Sequence, residues 1–283
     1  MTRPLLRYHG GKWRIAPWII SFFPPHRVYV ELFGGGGSVL LRKGRVHEEI
    51  YNDLDGEIVN VFRAARDNGE ELRARLRLTP FAREEFILSF EPSGDPVEQA
   101  RRTIVRAFFG RATNAATSDI SASGALGTGF KSNTEKRGVT EARVWMKYPD
   151  ALEAVIKRLQ GVVLENRDAV RLIEQHDGEG TLFYADPPYV HSTRNARKEY
   201  RYEMIDEKHI ELAEKLNKTK GAVIVSGYDC GLYNELYKGW KKSKRNEFAD
   251  GSRPRTETLW IKGAEPDLFN GIGEGELCHG YEV

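Results

Sequence analysis

The chain has 283 residues, 40% hydrophobic and 30% charged, with a formal net charge of only +2. This is ordinary globular composition, enough for one large core or two modest ones, and the total charge makes no case for a nucleic-acid partner. Two cysteines, Cys230 and Cys278, exclude a disulfide framework, and neither a membrane-length apolar run nor the apolar core of a signal peptide is present, since the chain opens "MTRPLLRYHGGK". The expectation is a cytoplasmic protein, monomeric in solution, prokaryotic or phage-encoded, with no membrane partner.

In chain order, "LRYHGGKWRIAPWI" places Gly10 and Gly11 before an apolar, helical stretch with Lys12 at its start. Lys12 fits either a ligand wall or a solvated helix start. "VYVELFGGGG" reads as a strand running into a glycine turn, where left-handed backbone angles and close ligand approach are permitted, and the helix beginning near Ser38 aims its N-terminus at that turn. The dinucleotide fingerprint is incomplete, because Leu40 stands where its third glycine belongs, and no phosphate-cradling G-x-x-x-x-G-K-[ST] exists. A second strand ends in "YNDLD", with Asp53 eighteen residues beyond Gly35, well placed to accept from both hydroxyls of a ribose.

Between that strand and the next, Phe62 to Tyr148 is largely helical in periodicity, and its middle, "GRATNAATSDISASGALGTGFKSNTEKRG", has loop composition. We expect residues 62–148 to form an inserted second domain, with the remainder, 1–61 and 149–283, forming the first. "VVLENRD" follows as a strand ending at Asp168, which suits a helix N-cap as well as an acceptor for an adenine amino group. "TLFYADPPYV" is a buried strand that stops in a carboxylate, two prolines and a tyrosine. The prolines hold the chain extended and stiff, so Asp186 and Tyr189 project past the strand end, where open parallel sheets bind ligands. "DEKHIELAEKLNK" reads as a helix with Ile210, Ala213 and Leu216 on one face and a solvated His209. A fifth strand, "GAVIVSGYD", precedes a hairpin of "GWKKSKRNEF" and "RTETLWIKG". Strands alternating with helices predict an α/β fold with a doubly wound, mixed sheet.

Gly-Gly-Lys, "ELFGGGGS", "NDLD", a helical insertion, "ADPPYV" and R-x-E-x-L-W, in that order, resemble the Dam-like, D12-class DNA adenine-N6 methyltransferases that use S-adenosylmethionine. The likeness runs from about Leu6 to Gly263, and D-P-P-Y is its sharpest element. It implies a Rossmann-like methyltransferase sheet with an inserted target-recognition domain, acting on double-stranded DNA by base flipping. It further implies that Asp186 and the Pro187 carbonyl accept the two hydrogens of the adenine amino group, that Pro188 stiffens the loop, and that Tyr189 stacks on the base. For the cofactor it implies Tyr8, Gly10, Gly11 and Lys12 at the amino-acid end, Phe33, Gly34, Gly35, Gly37 and Ser38 at its middle, Asp53 at the ribose and Asp168 at its adenine, with Asp186 beside it. No metal is expected, because the seven histidines show no ligand cluster.

Charge distribution carries what net charge does not. From Val97 to Lys147 nine Lys/Arg face four Asp/Glu, and from Glu235 to Lys262 eight face four, so each segment exceeds the whole chain's surplus. Arg111, Asn114 and Lys131 in the loop, and Arg253 and Arg255 in the hairpin, are the expected DNA contacts. The rivals are cytosine-N4 methylation, which shares the chemistry of an exocyclic amine, and a catalytically silent DNA-binding module; cytosine-C5 methylation lacks its cysteine nucleophile. The "GRATNAATSDIS" segment departs from the Asn-Gly-Leu-x-Arg stretch of GATC-reading Dam enzymes, leaving the target sequence open.

Overall fold

The computed structural model describes residues 3–112, 114–117, 127–131, 140–190, 201–248 and 254–263. Seven strands, β1 (Val28–Glu31), β2 (Glu48–Asn52), β3 (Val163–Glu165), β4 (Thr181–Ala185), β5 (Ala222–Tyr228), β6 (Lys241–Phe248) and β7 (Pro254–Lys262), form one sheet in the order β3-β2-β1-β4-β5-β7-β6. The first five are parallel, and β7 runs antiparallel to both β5 and β6. Each stretch read as a strand is one, and the mixed sheet with its terminal hairpin matches expectation. Strand order reverses between β1 and β4, and such a switch point opens a crevice at the carboxyl ends of the strands.

Helices cover both faces, as a parallel sheet requires. They are α1 (Ala16–Ile20), α2 (Ser38–Arg42), α3 (Gly56–Asp67), α4 (Gly69–Leu78), α5 (Arg83–Leu88), α6 (Pro96–Phe109), α7 (Glu141–Met146), α8 (Tyr148–Leu159), α9 (Ala169–His176), α10 (Asp206–Lys218) and α11 (Gly231–Leu236). The two-residue period of the strands sorts their side chains: Tyr29, Tyr51, Leu182, Tyr184 and Ile224 join one core with α1 to α8, while Val30, Ile50, Phe183, Val223 and Val225 join a second with α9 to α11. Residues 62–148 thus share the first core with the sheet, through Phe86, Ile104, Phe109, Trp145 and Tyr148. Position 62 itself lies in the middle of α3.

Two local readings are corrected. His209 is buried, not solvated: its Nδ1 lies 3.0 Å from the Tyr233 hydroxyl on α11, and their rings meet edge to face. The buried stripe of α10 is His209, Leu212, Ala213 and Leu216, and Ile210 faces out, because α11 supplies the polar partner that lets an imidazole occupy an apolar face. Lys12 precedes the first helix, which starts at Ala16, with the Ala16 amide donating to the Lys12 carbonyl at 2.7 Å.

Helix α8, which runs on past the insertion, is tied to the sheet by a buried charge cluster. Arg158 of α8 grips Glu49 of β2 with two hydrogen bonds, at 2.6 and 2.9 Å, and Lys43 adds a third at 2.6 Å. Burial alone would raise the Glu49 carboxyl, but Arg158 and Lys43 outweigh it and hold the group below its usual range. Burial pulls Lys43 down despite the same contact, so the bidentate arginine is the stronger support. Glu49→Gln strands two cations and should lower the unfolding free energy at neutral pH by about 3 kcal/mol, read by urea denaturation. Because the folded carboxyl titrates below its unfolded value of 4.5, that contribution is present above this pH and lost as pH falls through the folded value, so parent and variant should converge in acid. An equal deficit at pH 7 and in acid would exclude the ion pair as its cause.

Candidate active site

The crevice at the β1/β4 switch point is a cavity of about 260 Å³. Its walls come from the carboxyl ends of the parallel strands: Glu31, Leu32 and Phe33 after β1, Asn52 and Asp53 after β2, Arg167 and Asp168 after β3, Tyr184 and Asp186 at β4. Tyr8, His9, Gly10, Gly11 and Lys12 close one side, and Tyr202, Met204, Lys208 and Leu212 another.

The glycine turn is dictated by its neighbours. A Cβ on Gly34 would lie 2.1 Å from the ring of Tyr51, whose hydroxyl donates to the Gly35 carbonyl at 2.8 Å. Gly37 opens α2 with φ +62°, and its missing side chain makes room for Phe62. Beneath the turn, fully enclosed Glu31 accepts from the Leu40 amide in the first turn of α2 and from the Tyr29 hydroxyl, both at 2.7 Å. Burial pushes its carboxyl to about 8 against the pull of these two donors, so Glu31 remains protonated at neutral pH.

Asp53 sits at the β2 end with both oxygens on backbone amides, Gly35 at 2.7 Å and Asp55 at 2.8 Å. These donors fix the carboxylate across the glycine turn, while burial raises it to about 6. Asp168 caps α9, accepting from the Val170 amide at 2.9 Å, and also lines the cavity. Of the residues expected around a cofactor, Tyr8, Gly10, Gly11, Lys12, Phe33, Gly34, Gly35, Ser38, Asp53, Asp168 and Asp186 line this one cavity, and Gly37 does not.

At β4 the D-P-P-Y corner splits. Asp186 and Pro188 line the cavity, whereas Pro187 and Tyr189 are buried beside it. The Ser226 hydroxyl on β5 donates to Asp186 Oδ1 at 2.9 Å and contacts the Tyr184 hydroxyl at the same distance. Lys12 Nζ pairs with Asp186 Oδ2 at 2.8 Å and donates to the Tyr189 hydroxyl at 2.6 Å. The Tyr189 ring lies 4.2 Å from that of Tyr228. Lys12 therefore reaches the D-P-P-Y carboxylate itself. Ser226 and Glu257, whose Oε2 receives the Tyr189 hydroxyl at 3.3 Å, are site residues that the sequence reading missed. A serine interrupting the apolar "AVIVSGY", and the glutamate of R-x-E-x-L-W, were their available signals.

The donor set fits S-adenosylmethionine. Asp53 is an acceptor for vicinal hydroxyls, Leu54, Val170 and Leu212 offer apolar surface for a flat ring, and Asp186 supplies negative charge for a cation. Among the described residues no group of His, Cys, Asp and Glu could hold a metal ion, and no helix is long and apolar enough to cross a membrane.

The expected DNA contacts are spread widely. Arg111 is exposed, Asn114 half-buried, and Lys131 donates to the Phe108 carbonyl at 3.2 Å. Arg253 lies outside the described residues, as do Cys278, most of the 118–139 loop and the tail beyond 263, while the backbone of Arg255 pairs with Glu247 in the hairpin. Lys241, Lys242, Lys244 and Arg245 of β6 are exposed and alternate between its two faces, with Lys242 and Lys244 paired to Asp229 at 2.9 and 2.5 Å.

No curated protein matches the chain. Among solved structures, the rRNA methyltransferase aviRa from Streptomyces viridochromogenes overlaps it at 11% identity, covering 87% of this chain and 82% of that one with a TM-score of 0.39, too loose an overlap to bear on function. The sequence model of the D12 class N6 adenine-specific DNA methyltransferases matches residues 8–249, which is most of the molecule and spans every segment of the cavity wall. The chain belongs to the D12 class N6 adenine-specific DNA methyltransferase family.

Proposed function

We propose that this methyltransferase binds S-adenosylmethionine in the switch-point cavity and methylates N6 of an adenine flipped out of duplex DNA, with D-P-P-Y as its catalytic corner. One observation carries the reading: Asp186 stands in the same cavity wall as the glycine turn and Asp53, so an acceptor for an amine and an acceptor for a ribose face a shared space. Bound there, the cofactor supplies an electrophilic methyl group.

The chain's own residues then do three things. Asp53 accepts from the ribose hydroxyls, with Asp168 at the adenine, Phe33, Gly34, Gly35 and Ser38 along the middle, and Tyr8, Gly10 and Gly11 at the amino-acid end. Asp186 and the Pro187 carbonyl accept the two N–H hydrogens of the target amine. Its lone pair is ordinarily delocalised into the ring, and drawing both hydrogens to one side restores tetrahedral character and directs the lone pair outward. Ser226 is bonded to Oδ1, and the amine approaches Oδ2, which also holds Lys12 at 2.8 Å. Tyr189 stacks on the extruded base, which duplex DNA otherwise keeps out of reach.

Residues 62–148 are the recognition segment in this reading, reaching DNA through Arg111, Asn114 and Lys131, while Arg253, Arg255 and the exposed cations of β6 hold phosphates. Its support is the exposed Arg111 and the chain's independence of that loop for building the cofactor wall, since Arg101 and Arg106 of the counted surplus are buried against Glu98, Glu85 and Glu57.

Asp53→Ala should weaken S-adenosylmethionine binding at least about tenfold, since hydrogen bonds to a charged acceptor contribute about 1.5–3 kcal/mol each. Because burial sets the Asp53 carboxyl at about 6 and its ionised form is the acceptor, affinity in the parent should decline as pH drops through that value, and Asp53→Asn should flatten the profile. Calorimetry from pH 5 to 8 reads both, and a flat parental profile removes Asp53 from the ribose. Asp186→Ala should cut methyl transfer by orders of magnitude, about 10²-fold or more, with cofactor and DNA affinity largely kept, because the carboxylate acts mainly in the transition state. Equal losses in binding and turnover would make Asp186 structural. Substitutions between Arg111 and Lys136 should include some that alter which sites are methylated on random-sequence duplexes, whereas Arg253→Ala and Arg255→Ala should lower affinity and the salt slope alone. The reverse pattern would sink the assignment of 62–148.

A further inference from the structure

The glutamate of R-x-E-x-L-W has no part in the methyl transfer described so far. Glu257 stands on β7 opposite Tyr228 of β5, with its side chain 7% exposed. Its Oε2 receives the Tyr189 hydroxyl at 3.3 Å, and its Oε1 lies 3.8 Å from Lys12 Nζ. The Lys12 side chain, 6% exposed, spends its ammonium on Asp186 Oδ2 at 2.8 Å, the Gly10 carbonyl at 2.9 Å and the Tyr189 hydroxyl at 2.6 Å. Two carboxylates, from β4 and β7, therefore flank one buried ammonium.

This arrangement sets a problem for catalysis. Asp186 Oδ1 already holds the Ser226 hydroxyl and Oδ2 the Lys12 ammonium, so an amine that approaches Oδ2 competes with Lys12 for it. An ammonium displaced into a buried site without a counter-ion is strongly disfavoured. The remedy is already in place, since closing the gap to Glu257 from 3.8 Å to an ordinary charge-assisted contact needs a shift of only about 1 Å, with Tyr189 still bonded to both groups.

We propose that Glu257 is a positioning residue for methyl transfer: it takes over the Lys12 ammonium as the adenine amino group claims Asp186, so that the catalytic carboxylate is released without stranding a buried charge. Glu257 touches neither the base nor the cofactor in this scheme and acts through Lys12 and Tyr189. The inference rests on the reading of Asp186 as acceptor of the target amine.

Its test is a double-mutant cycle read by single-turnover methylation of duplex DNA, with cofactor affinity measured beside it. Glu257→Gln keeps the shape and removes the charge, so Lys12 stays on Asp186. The rate should fall about tenfold or more while S-adenosylmethionine affinity stays within about twofold. In the Lys12→Met background no ammonium needs a second counter-ion, and Glu257→Gln should then change the rate by less than about twofold. Glu257→Asp, which retains the charge on a shorter arm, should recover part of what Glu257→Gln loses, a readout that stands even if Lys12→Met proves too slow to assay. A parental rate in Glu257→Gln, equal losses in both backgrounds, or an aspartate variant no faster than the glutamine one would each overturn the role. Asp186→Asn, assayed in parallel, separates the two levels. If it too turns over at the parental rate, the underlying reading of Asp186 fails. If it alone is inactive while Glu257→Gln is unimpaired, only the hand-over is lost.

Discussion

The catalytic end of this molecule is governed by the cost of burying negative charge. Glu31, Asp53, Asp55, Asp186 and Glu257 gather within and around one crevice, and each is kept there by a different compensation. Glu31 stays protonated over a hydroxyl and an amide; Asp53 rests on two backbone amides; Arg201 bridges Asp55 to Glu57; Lys12 stands between Asp186 and Glu257. The glycine turn is part of the same solution, since tight backbone curvature is what brings unsatisfied N–H groups up to the carboxylates.

Sheet topology determines where those charges meet. Parallel strands deliver their carboxyl ends to one edge, and the reversal of order between β1 and β4 parts the flanking helices over that edge. Residues far apart in sequence, Lys12 and Asp186 or Tyr189 and Glu257, become neighbours only because β1, β4, β5 and β7 are laid side by side. Ser226 and Tyr184 extend the arrangement inward, linking the carboxylate to the covered interior of the sheet.

Much of this was legible before folding was considered. The parallel strands announce themselves as short apolar runs ending in Gly or Asp, which is enough to place Asp53, Asp168 and Asp186 just past strand ends, though not to say which strands are neighbours. What sequence could not convey is pairing across distance. Lys12 reads as a possible cofactor contact because its neighbours are glycines, yet the ammonium goes to a carboxylate 174 positions later. His209 reads as solvated because a polar residue on an amphipathic helix usually is, and only Tyr233, on a different helix, makes its burial intelligible. Glu257 falls within a recognisable motif, but its purpose depends on β7 running antiparallel beside β5, which no local pattern announces.

The shared core between sheet and insertion limits how new specificities can arise in this scaffold. Phe62, Phe109, Trp145 and Tyr148 belong to the same packed mass as Tyr29 and Tyr184, and Arg158 fastens the returning helix to β2. An exchange of the whole segment from 62 to 148 with that of a relative would therefore cut through an interior, leaving voids. Variation is cheapest at exposed positions beyond α6, such as Arg111, which stand outside that core. Change within 62–148 is accordingly tied to the sheet, and the helices there evolve in step with the core they share.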